Sequence, residues 1–295
     1  LMLLARRVGA ALRDENIEAR DSGGDMAARK KRLCYLPGQM LGGAAGVSLA
    51  GALAAWLGWR AIFVVLGALF IVIAALLRRE LARNEPLRLD GDRSVTIANA
   101  LRRMAGLLLR PWARVILAVV AIECALSMGV FAYVAWDLQH RHGVSLALSG
   151  FWIVAYPAGG LLYATFSAPL VARLGEQGLA LAGGLLIGAG YLCLLLAPAA
   201  LVVLPGLLAV GLGFAMLHNT LQVNATQMAP EARGAAVSLF AFCLFTSQSA
   251  GIAIVGRVID AAGIWPAYLA AALGLPLLAL EFRRRLRHKT AGCAA

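Results

Sequence analysis

Glu123 lies within an apolar stretch that runs from residue 113 to 136, and no other acidic residue sits so far inside such a stretch. A charged side chain at the centre of a bilayer costs roughly 2.5 kcal/mol or more unless it is paired, hydrated or protonated. Two readings follow: a carboxylate that binds a proton or the cationic part of a substrate, or a protonated, hydrogen-bonded residue that packs helices together. His218, Asn219 and Gln222 form a polar turn near the end of a later apolar run. His218 and Gln222 are one helical turn apart and so share a face. These side chains either line a cavity or bridge neighbouring helices. Thr246-Ser247-Gln248-Ser249 make a polar patch midway along another run, where Gln248 on an inward face would meet substrate. Tyr133, Tyr156 and Tyr163 supply aromatic surface, while Asp137 and Asp260, at the ends of their runs, read as solvated.

Catalytic motifs are absent. There is no H-E-x-x-H and no P-loop, and the nearest approach to a nucleophile elbow, Gly46-Val47-Ser48-Leu49-Ala50, ends in alanine where a glycine belongs. A serine hydrolase using His218 stays a remote alternative, and no enzyme activity is expected. Cys34, Cys124, Cys193, Cys243 and Cys293 stand far apart, a spacing that suggests neither a disulfide framework nor a paired metal site. They read as small buried hydrophobes, and no cofactor or metal is expected.

The elements that carry these residues are set by composition. With 61% hydrophobic and 14% charged residues and a mean hydropathy of +0.79, the chain has too little polar surface to cover a water-soluble globule. It reads as an all-α integral membrane protein. Apolar runs at 38–57, 61–77, 113–136, 146–171, 179–197, 200–219, 234–256 and 262–280 each approach the ~20 residues that a helix needs to cross the hydrocarbon core. That predicts eight transmembrane helices. Of the 27 Lys and Arg residues, all but Arg60, Arg141 and Arg257 fall on one side of this arrangement. The positive-inside rule therefore places both termini and the long 78–112 loop in the cytoplasm. The same distribution makes the net charge of +12 an orientation signal rather than a nucleic-acid surface. Within the loop, Ile97, Leu101, Met104 and Leu108 recur at helical spacing opposite Arg102 and Arg103, which predicts an amphipathic helix on the membrane face. Trp56, Trp59, Trp112, Trp136 and Trp265 fall near span ends, as an aromatic belt requires.

Gly38, Gly42 and Gly46 form a groove of bare backbone on the first predicted helix, the small-residue ladder that lets membrane helices approach. Ala45, Gly46, Gly51 and Gly58 recur, at an offset of 205 residues, as Ala250, Gly251, Gly256 and Gly263. Fixed-offset similarity of this kind indicates two related halves.

These residues resemble the major facilitator superfamily. The stretch from Gly42 to Arg60, with its Gly58-Trp59-Arg60 turn, looks like the fifth span and following loop of bacterial drug and sugar efflux members. The run from Leu217 to Gln222 and on through Ala229-Pro230-Glu231-Ala232-Arg233-Gly234 looks like the tenth span, its cytoplasmic loop and the start of the eleventh. Two departures stand out. Gly46-Val47 replaces the Gly-Pro of the antiporter motif, and the cytoplasmic loop motif survives only as Pro169, Arg173 and Gly175. The resemblance implies a partial facilitator fold of two plus six spans: a cytoplasmic segment at 1–37, the end of an N-terminal half at 38–77, the loop at 78–112, a six-span C-terminal half at 113–281 and a basic tail at 282–295. It further implies a multi-pass protein of the bacterial inner membrane that exports a small molecule, a drug or sugar, with protons as the driving ion and with Arg60, Arg233 and Gly234 in gating and packing motifs. The lipid bilayer is the other expected partner, and oligomeric state stays open. On this reading four spans belong ahead of residue 38, and the chain alone is expected not to transport. The alternative is a non-transporting fragment or assembly partner of a transporter.

Overall fold

A backbone inside lipid finds no water to bond, so a continuous apolar chain must satisfy its own amides, and the α-helix does so locally. In the computed structural model, which describes residues 57–83, 102, 104–229 and 232–292, every regular element of the described residues is helical. In chain order these are α1 (Trp59–Arg83), α2 (Pro111–Phe131), α3 (Val134–His142), α4 (Leu146–Ile153), α5 (Ala155–Leu196), α6 (Ala200–Gln227), α7 (Arg233–Ala262) and α8 (Trp265–Gly292). They build six helical stretches long and apolar enough to cross a membrane.

Local chemistry explains several of the boundaries. Pro111 opens α2, where its missing N–H costs nothing. Gly143 closes α3 in the left-handed region at φ 65° and ψ 19°. Ser145 caps α4 by accepting from the Leu148 N–H at 3.3 Å. The helix ahead of α2 ends in a turn at Leu108, whose N–H reaches the Ala105 carbonyl at 3.1 Å. Leu107 is buried against the bundle, while Leu108 is exposed. Ile97 and Leu101 lie outside the described residues.

The stretch Leu146–Leu196 counts 51 residues. At 1.5 Å per residue a straight helix of that length would reach about 77 Å, more than twice the ~30 Å hydrocarbon core. It does not run straight, because α5 leaves helical geometry at Gly175, with φ 61° and ψ −179°. Both limbs then lie along α6. On the first limb Gly159 abuts the backbone of Leu208 and Leu212, and Tyr163 meets Asn219 at 2.9 Å. On the second, Glu176 meets Asn224, Gly183 abuts Gly213 and Leu217, and Gly190 abuts Gly206 and Val210. Contacts climb α6 with the first limb and descend it with the second, so α5 is a hairpin. Its corner is the last residue of the surviving Pro169, Arg173 and Gly175 motif.

The core between these helices is filled by Ile116, Val120, Ile187, Leu207, Leu217, Leu221 and Leu275, all buried. α8 continues through the basic tail to Gly292, supported by the Arg285 to Glu281 pair at 2.8 Å and by burial of Phe282 and Leu286. α1 instead exposes its apolar side chains, among them Val64, Phe70 and Ile71. The internal repeat has a backbone counterpart at one point: Gly58 and Gly263 hold nearly identical positive φ angles, 80° and 79°. Gly251 packs directly on the backbones of Ala125 and Gly129. Gly38, Gly42, Gly46 and Gly51, and the predicted span 38–57, lie outside the described residues.

The Gly175 conformation is open essentially to glycine alone, and a side chain forced into it costs about 1–3 kcal/mol. Nothing lies within 4 Å of a Cβ built there, so the cost is purely one of backbone geometry. Gly175→Ala is expected to lower the thermal unfolding midpoint of the purified protein in detergent while leaving its helical content unchanged. An unchanged midpoint would show that the hairpin does not depend on this corner.

Candidate functional site

The buried face of α2 follows the helical repeat through Ile116, Val120, Glu123, Ser127 and Val130. Glu123 is thus built into the packed stripe rather than set on a lipid-facing side, and it is fully buried. The partner comes from α6. His218 Nδ1 lies 2.9 Å from Glu123 Oε2, and His218 is the partly exposed member of the pair, with 16% of its side chain accessible. One proton between these two atoms serves either as an N–H donating to a carboxylate or as an O–H donating to the ring. Glu123 Oε1 is buried without a hydrogen-bond partner among the described residues.

Aromatic rings hold the imidazole. Phe214 stacks on His218 at a centroid separation of 4.8 Å and 10° between planes, and Phe240 of α7 approaches the other way at 5.6 Å. Tyr156 extends this surface, 6.1 Å from Phe214 and 4.3 Å from Phe131, with its hydroxyl 3.8 Å from Met128 Sδ. Cys124 also belongs here: one ligand atom from each of Glu123, Cys124 and His218 lies within 4.8 Å of the others.

The structure therefore brings together Glu123, His218 and Tyr156 of the residues singled out by sequence. Asn219 turns away to Tyr163, to which its Nδ2 donates at 2.9 Å. Tyr133 sits where α2 breaks into α3 and donates to the Ile252 carbonyl at 3.0 Å. Gln222 is exposed and Gln248 half-buried, and neither enters the Glu123–His218 hydrogen bond. Arg60, Arg233 and Gly234 are exposed near helix starts.

Asp137 corrects an expectation. Rather than being solvated it is buried at 2% exposure, accepting from Arg141 at 3.0 Å and from the Tyr268 hydroxyl at 3.0 Å. Arg141 also donates to the Leu194 and Leu195 carbonyls that end α5. One buried carboxylate thereby ties α3 to α8 and, through Arg141, to the hairpin. The i, i+4 spacing of Asp137 and Arg141 was the available sequence signal. At the opposite end, Lys289 reaches Asn224 at 3.3 Å and lies 4.5 Å from the Trp112 ring centre, and Arg110 donates to the Met228 carbonyl at 3.3 Å.

The model of the Major Facilitator Superfamily matches residues 35–252. The chain belongs to that family. Over 114 residues it is 39% identical to an uncharacterized MFS-type transporter of Burkholderia mallei, the match taking in 36% of this chain and 28% of that protein. The same figures hold for an uncharacterized MFS-type transporter of Burkholderia pseudomallei. The chain thus matches little more than a quarter of the length of these relatives. It is a multi-pass membrane protein of a transporter family.

The end-of-bundle network yields a stability test. Hydrogen bonds between membrane helices contribute on the order of 0.6–2 kcal/mol, so Tyr268→Phe is expected to destabilise the protein by about 1 kcal/mol. Arg141→Met should cost more, because it removes the ion pair and both carbonyl caps together. Denaturation of the purified variants in detergent checks the order. Equal stability of wild type and Arg141→Met would show that the network contributes nothing.

Proposed function

We propose that the chain contributes the last two spans of the N-terminal half and the whole C-terminal half of a facilitator that exports a small molecule, a drug or sugar class compound, across the bacterial inner membrane under a proton gradient. The observation that carries this reading is the Glu123–His218 pair, a buried carboxylate and imidazole 2.9 Å apart between two apolar helices. Ionisable groups at such depth are expensive and mark ion or substrate pathways. The pair is neutral with one proton aboard, so it stays tolerable in an apolar setting while holding a cation that can be exchanged. The rings of Tyr156, Phe214 and Phe240 beside it, tilted to one another, offer an apolar aromatic lining for the body of an organic substrate.

In this reading the two halves rock about the substrate, and the pair meets first one aqueous side and then the other. Eight crossings, both termini in the cytoplasm and the domain boundaries at 38–77, 78–112 and 113–281 complete the proposal. Two features favour them: the distribution of Lys and Arg, and the hairpin, which raises the six helical stretches to seven crossings among the described residues, the eighth being the span expected at 38–57. The exposed apolar length of α1 favours a second reading, in which the chain acts as an assembly partner for other helices.

Everted membrane vesicles bearing a complete facilitator that contains this chain, with a fluorescent cationic dye, separate these. Glu123→Gln keeps shape and hydrogen bonding while removing the charge. It is expected to abolish gradient-driven dye movement yet leave the protein in the membrane at wild-type amount. Unchanged gradient-driven movement in Glu123→Gln would make the carboxylate structural. Absence of movement in the wild type would favour the assembly reading.

A further inference from the structure

We propose that Glu123, Cys124 and His218 form a binding site for a divalent transition-metal cation of the zinc and cobalt class. Nothing in the spacing of the cysteines points to such a site, because the imidazole comes from a residue 95 positions away and is delivered by the packing of α6 on α2. Three different ligand atoms, a carboxylate oxygen, a thiol sulfur and an imidazole nitrogen, lie within 4.8 Å of one another. Three ligands about 2.0–2.3 Å from one zinc ion stand roughly 3.3–3.8 Å apart, so a shift of about 1 Å closes the set. Two of the three are already 2.9 Å apart.

A second observation is independent of that distance criterion. Glu123 Oε1 is buried without a hydrogen-bond partner among the described residues, an arrangement that costs free energy unless something occupies the second lone-pair position. A metal taken by both oxygens of the carboxylate, together with the thiolate and the ring, would satisfy it. The Phe214 ring stacked on His218 fixes the plane of the imidazole from one side, which limits the reorganisation that binding requires.

Ligand type sets the class of cation. Sulfur and imidazole nitrogen suit zinc, cobalt and related first-row ions, whereas magnesium and calcium demand oxygen ligands. Three protein ligands leave a fourth position open to water or another ligand, unlike the closed four-ligand set of structural zinc sites. The charges also balance. Binding releases the Cys124 thiol proton and the proton shared by Glu123 and His218, so one divalent cation replaces two protons and the buried site stays neutral.

This inference uses the same pair as the proposed function but is read by binding alone. Failure of cobalt binding would leave proton-driven export standing, and failure of export would leave the metal site standing. The experiment is Co²⁺ titration of the purified chain in detergent, in a background with Cys34, Cys193, Cys243 and Cys293 replaced by serine, followed by visible and near-ultraviolet absorption. The expected result is a saturable sulfur-to-cobalt charge-transfer band that zinc abolishes and magnesium does not. Cys124→Ser should lose the band, and His218→Gln and Glu123→Gln should each weaken binding at least tenfold, all with wild-type helical content by circular dichroism. No band in the natively helical background protein, or a band that persists in Cys124→Ser, would overturn the proposal. Should His218→Gln misfold, His218→Cys supplies the alternative, with the band retained and shifted if the site is real and unchanged if it is not.

Discussion

A carboxylate placed in the packed stripe of an apolar helix needs a partner, and the position of that partner constrains everything around it. Glu123 finds His218 at 2.9 Å, which ties α6 to α2 where the two helices otherwise touch little. Both hairpin limbs of α5 pack along α6, and the second also meets α8 through Gly184 and Gly188. The close approaches that make this possible come from glycines: Gly183 against Gly213, and Gly190 against Gly206. Membrane helices gain little from burying apolar surface against one another, so close backbone packing and a few polar contacts must hold the bundle together.

The polar contacts are concentrated at three levels. Asp137, Arg141 and Tyr268 close one end, Glu123 and His218 occupy the interior, and Glu176, Asn224 and Lys289 close the other end. Between them the packing is apolar and aromatic, with Tyr191 donating to the Ser127 carbonyl as a bridge from the interior toward the Tyr268 end. Each level ties residues that are distant in sequence. The two ends hold the helices in register, while the interior level is a single carboxylate–imidazole pair.

Much of this was legible in the sequence, for identifiable reasons. Helix positions follow from length and hydropathy, because lipid leaves an apolar chain few other solutions. The break near Gly175 was visible as a polar interruption between two apolar runs, and Glu123 stood out because an acid at that depth is costly. What was hidden depends on tertiary contact. Nothing in sequence joins Glu123 to a histidine 95 residues away, or Asp137 to Tyr268, so Asp137 read as solvated when it is buried. Gln222 shares a face with His218 on an ideal helix yet is exposed, since a helix face is wider than the contact made by its neighbour.

Whether Glu123 and His218 act as one unit is tested most directly by a double-mutant cycle. Stability of the purified wild type, Glu123→Gln, His218→Gln and the double variant is measured by denaturation in detergent. Residues in one hydrogen-bonded pair are non-additive, with coupling of about 0.5–3 kcal/mol. The predicted result is a double variant no less stable than the worse of the two single variants. Costs that simply add would contradict the account, because they would mean that the carboxylate and the imidazole do not interact in the folded protein.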